Sequence, residues 1–246
     1  MNVMHRFANP TRFLRLARVI QPWSMAVALV AIVAGLVWGL VYAPVDYQQG
    51  DTVRIMFVHV PAAWMALFIY GIMAVASAVG LIWRHAVADL AAKASAPIGA
   101  AFTVICLVTG SLWGQPMWGT WWVWDARLTS MLILLFLYIG YMALWQAFDD
   151  PQKAARAAAI LALVGTINLP IIKFSVDWWN TLHQPASVLT LAGPKIHASL
   201  LWPLLFMAIG FKAYFISVLM IRMRSELAAR RIRGLRLAYA AADTGR

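Results

Sequence analysis

Six long runs of apolar residues alternate with short polar stretches along this chain of 246 residues. An apolar run of about 20 residues is long enough for a helix to cross roughly 30 Å of hydrocarbon. No stretch shows the alternation typical of barrel strands, and open sheet edges cannot be satisfied in lipid. The pattern therefore predicts an all-α integral membrane protein with six transmembrane helices, at 23–43, 58–83, 94–113, 128–148, 157–176 and 196–221.

The composition supports this class and excludes an ordinary soluble domain. Hydrophobic residues make up 63% of the chain, charged residues 12%, and the mean hydropathy is +0.75. Four arginines precede the first apolar run, but its length and the lack of a clear cleavage signal favour a retained helix over a signal peptide. We expect a basic amphipathic cytoplasmic segment at 1–22, a transmembrane domain at 23–221 and a basic cytoplasmic tail at 222–246.

The basic residues predict how the helices are oriented. Fifteen of the twenty lysines and arginines fall in the two ends and in two of the connections. By the positive-inside rule this side is the cytoplasm, so both termini are expected there. The net charge of +11 is then explained by topology and by contact with anionic membrane lipid, and nucleic-acid binding is disfavoured.

The connections expected on the outer side are rich in tryptophan. The segment WGTWWVWDARLTS, Trp118–Ser130, holds four tryptophans within seven residues, followed by Asp125 and Arg127. An aromatic belt would decorate both faces of the membrane, whereas the cytoplasmic connections have almost no tryptophan. The sequence thus predicts an aromatic surface on a periplasmic loop at about 114–127.

Two histidines, His59 and His183, are expected at this outer edge. Their spacing suits a metal centre held between two elements, and without a cysteine or carboxylate cluster an iron porphyrin fits better than zinc. A histidine at a membrane edge also commonly serves only as an interfacial hydrogen-bonding group, and His197 is interpreted in that way. The single cysteine, Cys106, and the lack of C-x-x-C-H predict that any haem held here is removable and not covalently attached to this chain.

Three motifs resemble one family in particular. WGTWWVWDARLTS resembles the WWD signature of the haem-handling proteins of bacterial cytochrome c maturation, and FVHVPAAW and WWNTLHQP resemble the histidine segments of the CcmC, or haem exporter protein C, family. The resemblance extends over essentially the whole chain. It implies that His59 and His183 are axial ligands of the haem iron. It also implies a haem-binding surface formed by Trp118, Gly119, Trp121, Trp122, Trp124, Asp125 and Arg127.

The resemblance also implies a function at the bacterial inner membrane. A member of this family holds haem at the periplasmic face and delivers it to the haem chaperone CcmE for covalent attachment during c-type cytochrome biogenesis. The implied partners are the small membrane protein CcmD and the ATP-binding cassette subunits CcmA and CcmB. This chain has no phosphate-binding glycine loop, so an intrinsic ATPase is not expected. Whether it promotes the covalent attachment or only positions the reactants is left open.

Some roles and alternatives also stay open. Arg127 is expected to pair with a haem propionate or with Asp125, and Asp125 to brace backbone N–H groups or Arg127. Gly119 is expected to permit close approach of backbone or ligand. Lys212 would snorkel or contact a partner helix. The alternative functions are a permanent b-type cytochrome that carries electrons and a transporter of haem or another solute, although histidines at the outer edge favour exchange.

Overall fold

The computed structural model describes residues 10–184, 187–188, 190 and 193–244. Within these residues every extended regular element is helical, and β structure is limited to one bridge between Asp46 and Gly50. Six helical segments are long and apolar enough to cross a membrane, which confirms the predicted class. The first nine residues of the predicted amphipathic segment lie outside the described residues.

The six segments are built from seven α-helices. The fifth segment is divided, because one helix ends at Gly165 and the next begins at Asn168. A π-helical turn, Trp38–Tyr42, extends the first helix, and a 3-10 turn, Asp51–Ile55, precedes the second. The helices are α1 Pro10–Val37, α2 Met56–Trp83, α3 Ala86–Trp118, α4 Ala126–Ala147, α5 Pro151–Gly165, α6 Asn168–Trp178 and α7 Ala198–Thr244.

Several helices extend beyond their apolar runs. Helix α3 was predicted at 94–113, but it begins after His85, whose ring accepts a hydrogen bond from the Ala88 N–H at 3.1 Å. Helix α7 continues through the predicted tail to Thr244, and α1 begins at Pro10 within the predicted surface segment. Hydropathy marks where a helix crosses lipid, whereas its ends are decided by capping groups and backbone hydrogen bonds.

The helices pack as one bundle in which α1 lies along α7 and α2 lies against α3. Two polar side chains in the core donate to backbone oxygens of neighbouring helices. The Tyr138 hydroxyl donates to the Ala66 carbonyl at 2.8 Å, and the Asn168 side chain donates to the Ser130 carbonyl at 2.8 Å. The second bond ties the start of α6 to α4. Such pairing offsets the cost of placing polar groups in an apolar interior.

The two ends of the bundle differ in composition. At one end lie the connections 43–50 and 119–125 and the described part of the connection 179–197, and we call this the tryptophan-rich end. There the Trp113 indole N–H donates to Gln49 at 3.0 Å. At the other end, which we call the basic end, Lys93 of α3 pairs with Glu226 of α7 at 2.8 Å. Arg222 also donates to the Ala94 carbonyl at 3.2 Å, so α7 is fastened to α3 there.

Candidate functional site

The tryptophan-rich loop is shorter than predicted. Helix α3 continues to Trp118, so the residues between helices are 119–125 rather than about 114–127. Gly119 ends the helix with φ +74°, and its N–H donates to the Gln115 carbonyl at 2.9 Å. Among the described residues, apart from the chain on either side of Gly119, no atom lies within 4 Å of where a Cβ would be. Close approach of another backbone segment is therefore not observed, close approach of a ligand stays a prediction, and the left-handed conformation accounts for the glycine.

Asp125 connects the loop to two other elements. One carboxylate oxygen, Oδ1, accepts from the Leu128 N–H at 2.8 Å and caps α4. The other oxygen, Oδ2, lies 3.1 Å from His183 Nδ1, and only 6% of the Asp125 side chain is exposed. The predicted bracing of a backbone N–H is confirmed. The predicted partner Arg127 is replaced by His183, which the sequence did not indicate.

His183 is held from three sides. Its backbone N–H donates to Thr181 Oγ1 at 3.1 Å, Asp125 faces Nδ1, and the Trp118 ring meets the imidazole edge-on with centroids 5.0 Å apart. Burial lowers the pKa of the His183 imidazole below its ordinary value, because desolvation of the cation outweighs the opposing effect of Asp125. The ring is therefore neutral near pH 7. With its proton on Nδ1 toward the carboxylate, the Nε2 lone pair is free to bind a metal.

His59 lies near the start of α2 and directs the same ring nitrogen, Nδ1, to other acceptors of the protein. Its Nδ1 is 3.0 Å from the Cys106 carbonyl and 3.1 Å from Thr109 Oγ1. The Thr109 hydroxyl donates to the Ile105 carbonyl at 2.6 Å, and a carbonyl can only accept. His59 Nδ1 must therefore donate. Its Nε2, like that of His183, has no hydrogen-bond partner in the part of the chain that the structure describes.

Trp113 belongs to the site although the sequence analysis did not single it out. Its ring meets the His59 ring edge-on at a centroid distance of 5.6 Å, while its N–H bonds Gln49. Trp113 follows Cys106 by two helical turns and so shares the face of α3 that carries the His59 contacts. The spacing of Trp113 from Cys106 was the available sequence signal. Using it requires the knowledge that this face of α3 packs against α2.

Arg127 is half-buried in the first turn of α4. Its Nε donates to Ser175 Oγ of α6 at 3.0 Å. It makes no ion pair with Asp125 within 4.0 Å, so one of its two expected roles is not observed. Arg127 follows Asp125, the contact of His183, by two residues and so lies at the same end of the bundle. Its remaining N–H groups can serve an anion beside the histidines.

The remaining tryptophans form an exposed apolar surface. Trp122 and Trp124 meet edge-on at 5.4 Å, and Trp121 and Trp124 are 59% and 74% exposed. The buried Trp122 N–H has no hydrogen-bond partner among the described residues. Beside the loop, an open apolar groove of about 340 Å³ is lined by Leu107, Val108, Ser111, Leu112 and Trp121.

Comparison with known proteins now decides the family. The family model described as CcmC, heme exporter protein C, matches residues 3–238. The chain belongs to the CcmC family. Heme exporter protein C of Bradyrhizobium diazoefficiens is 59% identical over 233 residues, covering 95% of this chain and 88% of that protein. The Escherichia coli K12 protein of the same name is 50% identical over 222 residues, covering 90% and 89%. That of Paracoccus denitrificans is 49% identical over 230 residues, covering 93% and 95%.

The residues that carried the resemblance to the CcmC family come from three separate parts of the chain. His59 on α2, the tryptophan-rich loop and His183 in the 179–197 connection lie at one end of the bundle. In the described residues, no three histidine, cysteine, aspartate or glutamate side chains form a group able to hold a bare metal ion. Two imidazoles that each bond the protein through Nδ1, beside a tryptophan surface, fit a flat macrocycle whose own nitrogens supply the other iron ligands.

Proposed function

We propose that this CcmC-family protein binds haem b non-covalently through His59 and His183 and delivers it to the chaperone CcmE. The observation that carries the proposal is the shared arrangement of the two imidazoles. Each directs Nδ1 to an acceptor of the protein and leaves the Nε2 lone pair for a metal. The shared name of its relatives, heme exporter protein C, supports a role in haem export.

The cargo haem presents an iron that accepts two axial nitrogen ligands and a propionate edge that carries negative charge. In our proposal His59 and His183 are the axial ligands, and Arg127 pairs with a propionate through N–H groups that Ser175 leaves free. Trp118 keeps the His183 ring in place, and the other loop tryptophans contact the apolar faces of the macrocycle. The only cysteine, Cys106, is buried in α3, which is consistent with haem that is not covalently attached.

We further propose that the tryptophan-rich end faces the periplasm and that the protein resides in the bacterial inner membrane. The excess of basic residues at the opposite end supports this orientation. CcmD, CcmA and CcmB are the proposed partners at the membrane, and ATP hydrolysis is assigned to the cassette subunits. An exposed surface of tryptophans is suited to contact with an incoming protein, since tryptophan is enriched at interface hot spots.

The test is the transfer of haem to the chaperone. CcmE is expressed with the wild-type protein or with the double variant His59→Ala and His183→Ala, and covalent haem on CcmE is measured after denaturing electrophoresis. Loading should fall at least tenfold in the double variant. His197→Ala is the matched control, because His197 lies at the same end, is exposed, and its side chain bonds only Ser199 among the described residues. Undiminished loading in the double variant would overturn the proposal.

The same preparation separates delivery from electron transfer. Wild-type protein charged with haem is mixed with purified CcmE, and the haem that remains on each protein is measured. A delivery protein should lose haem to the chaperone. Haem that stays on this chain through repeated oxidation and reduction, with none reaching CcmE, would favour a permanent b-type cytochrome instead.

A further inference from the structure

The two histidines of the site donate to acceptors of different charge. His59 Nδ1 faces the Cys106 carbonyl and the Thr109 hydroxyl, both of which are neutral. His183 Nδ1 faces the carboxylate of Asp125 at 3.1 Å. The difference is built into the fold, since the first acceptors belong to the neighbouring helix and the second to the tryptophan-rich loop. The two imidazoles are therefore unequal as metal ligands.

We propose that Asp125 is a positioning residue that acts through His183, making it the stronger donor to ferric iron and favouring retention of haem in the ferric state. The inference rests on the proposed function, because it requires haem bound by these histidines. It assigns Asp125 to the support of an axial ligand instead of direct contact with the macrocycle. It also makes His59 the weaker of the two ligands.

The geometry of Asp125 suits this role. Its two carboxylate oxygens have different partners. Oδ1 accepts a hydrogen bond from the Leu128 N–H, and Oδ2 faces His183 Nδ1. The cap at the start of α4 therefore fixes the direction in which the second oxygen points. At 6% exposure the carboxylate is shielded from water, so its interaction with the imidazole is less screened than at an open surface. The Trp118 ring restrains the imidazole from another side.

The chemical consequence follows from the partial transfer of negative charge to the imidazole. A carboxylate that accepts the Nδ1 proton raises the basicity of Nε2, whereas a neutral carbonyl does so less. A more basic ligand stabilises the more highly charged ferric iron more than ferrous iron. The ratio of ferric to ferrous haem affinity should therefore depend on the charge of Asp125.

The experiment measures haem affinity in the oxidised and dithionite-reduced states, together with the midpoint potential of bound haem. The variants are Asp125→Asn and Asp125→Ser, since both residues are good helix caps and neither supplies a carboxylate. The expected result is a ferric-to-ferrous affinity ratio about tenfold lower. That change corresponds to a midpoint potential higher by about 59 mV for a one-electron couple.

Two further variants separate a change in the ferric-to-ferrous affinity ratio from a loss of folded structure. His197→Ala removes a side chain at the same end of the bundle whose described hydrogen bonds go to Ser199 and to neither proposed ligand, and the ratio should stay at the wild-type value. Asp125→Glu restores a carboxylate but caps less well, so it should lower thermal stability while returning the ratio toward wild type. Equal loss of ferric and ferrous affinity in Asp125→Asn, or an unchanged ratio, would overturn the inference. Haem binding that is independent of both histidines would instead overturn the proposed function.

Discussion

The tryptophan-rich end and the basic end use similar polar contacts for different purposes. At the basic end, Lys93 and Glu226 pair with each other and fasten α7 to α3. At the tryptophan-rich end, the bond from His183 to Asp125 uses one ring nitrogen only. Its second nitrogen is left for a ligand. The same kind of polar contact thus fastens two helices at the basic end, whereas at the tryptophan-rich end it leaves a ring nitrogen available for binding.

The Asp125–His183 pair is more deeply buried than the Lys93–Glu226 pair. The side chains of Asp125 and His183 are 6% and 18% exposed, whereas those of Lys93 and Glu226 are 32% and 28% exposed. Removing one partner of a shielded polar pair leaves the other unsatisfied, while an exposed pair is screened by water. Changes at the tryptophan-rich end should therefore alter ligand binding, and changes at the basic end should alter little.

The largest difference in haem affinity is expected between variants of two basic side chains, Arg127 and Lys93. Arg127→Ala removes the group proposed to pair with a haem propionate, and a charged hydrogen bond contributes about 2 kcal/mol, or roughly thirtyfold in affinity. Haem titration of the purified variant measures this loss. Lys93→Ala at the basic end should bind haem as the wild type does. Equal haem affinity in the two variants would contradict the proposed difference between the two ends.

An intermediate effect is expected from the exposed tryptophans. Replacing Trp121 and Trp124 together by alanine should reduce transfer of haem to CcmE by about tenfold, because exposed tryptophans often dominate a protein interface. The melting temperature should change little, since both rings are more than half exposed. Trp23→Ala is the control, because Trp23 is 72% exposed on α1. If the wild type, the double variant and Trp23→Ala transfer haem equally well, the tryptophan-rich loop is not part of the surface that docks CcmE.

The smallest effect is expected from the Lys93–Glu226 pair. Exchange of its charges, with Lys93→Glu and Glu226→Lys made together, should change the free energy of unfolding by less than about 1 kcal/mol. Each single variant should lower the melting temperature slightly, and the exchange should restore it. Haem binding should be unaffected in all of them. A change in haem content here would mean that the two ends are coupled through the bundle.

The sequence predicted the six membrane segments well because apolar length alone determines which helices can cross lipid. It predicted helix ends less well, as α3 shows by continuing to Trp118 and α7 by continuing to Thr244. Apolar length did not indicate the interruption between Gly165 and Asn168, where α5 ends and α6 begins, although Pro170 in the first turn of α6 is a helix breaker close to it.

Site residues were identified through motifs, but their contacts depend on packing. His183 and Asp125 are 58 positions apart, and His59 and Cys106 are 47 apart, so no local periodicity relates them. One of the two partners expected for Arg127 was its near neighbour Asp125, yet Arg127 bonds Ser175, which α6 brings beside it. A motif names the chemically active residues, whereas the tertiary fold decides which of them meet.

The most direct measurement of the central claim is the haem content of purified protein, read as pyridine haemochrome per polypeptide. Wild type, His59→Ala, His183→Ala, the double variant and the control His197→Ala are compared after the same detergent extraction. We expect the control to match wild type, each single variant to lose part of its haem, and the double variant to retain less than about a tenth. Wild-type haem content in a folded double variant would contradict the claim that these histidines hold the haem.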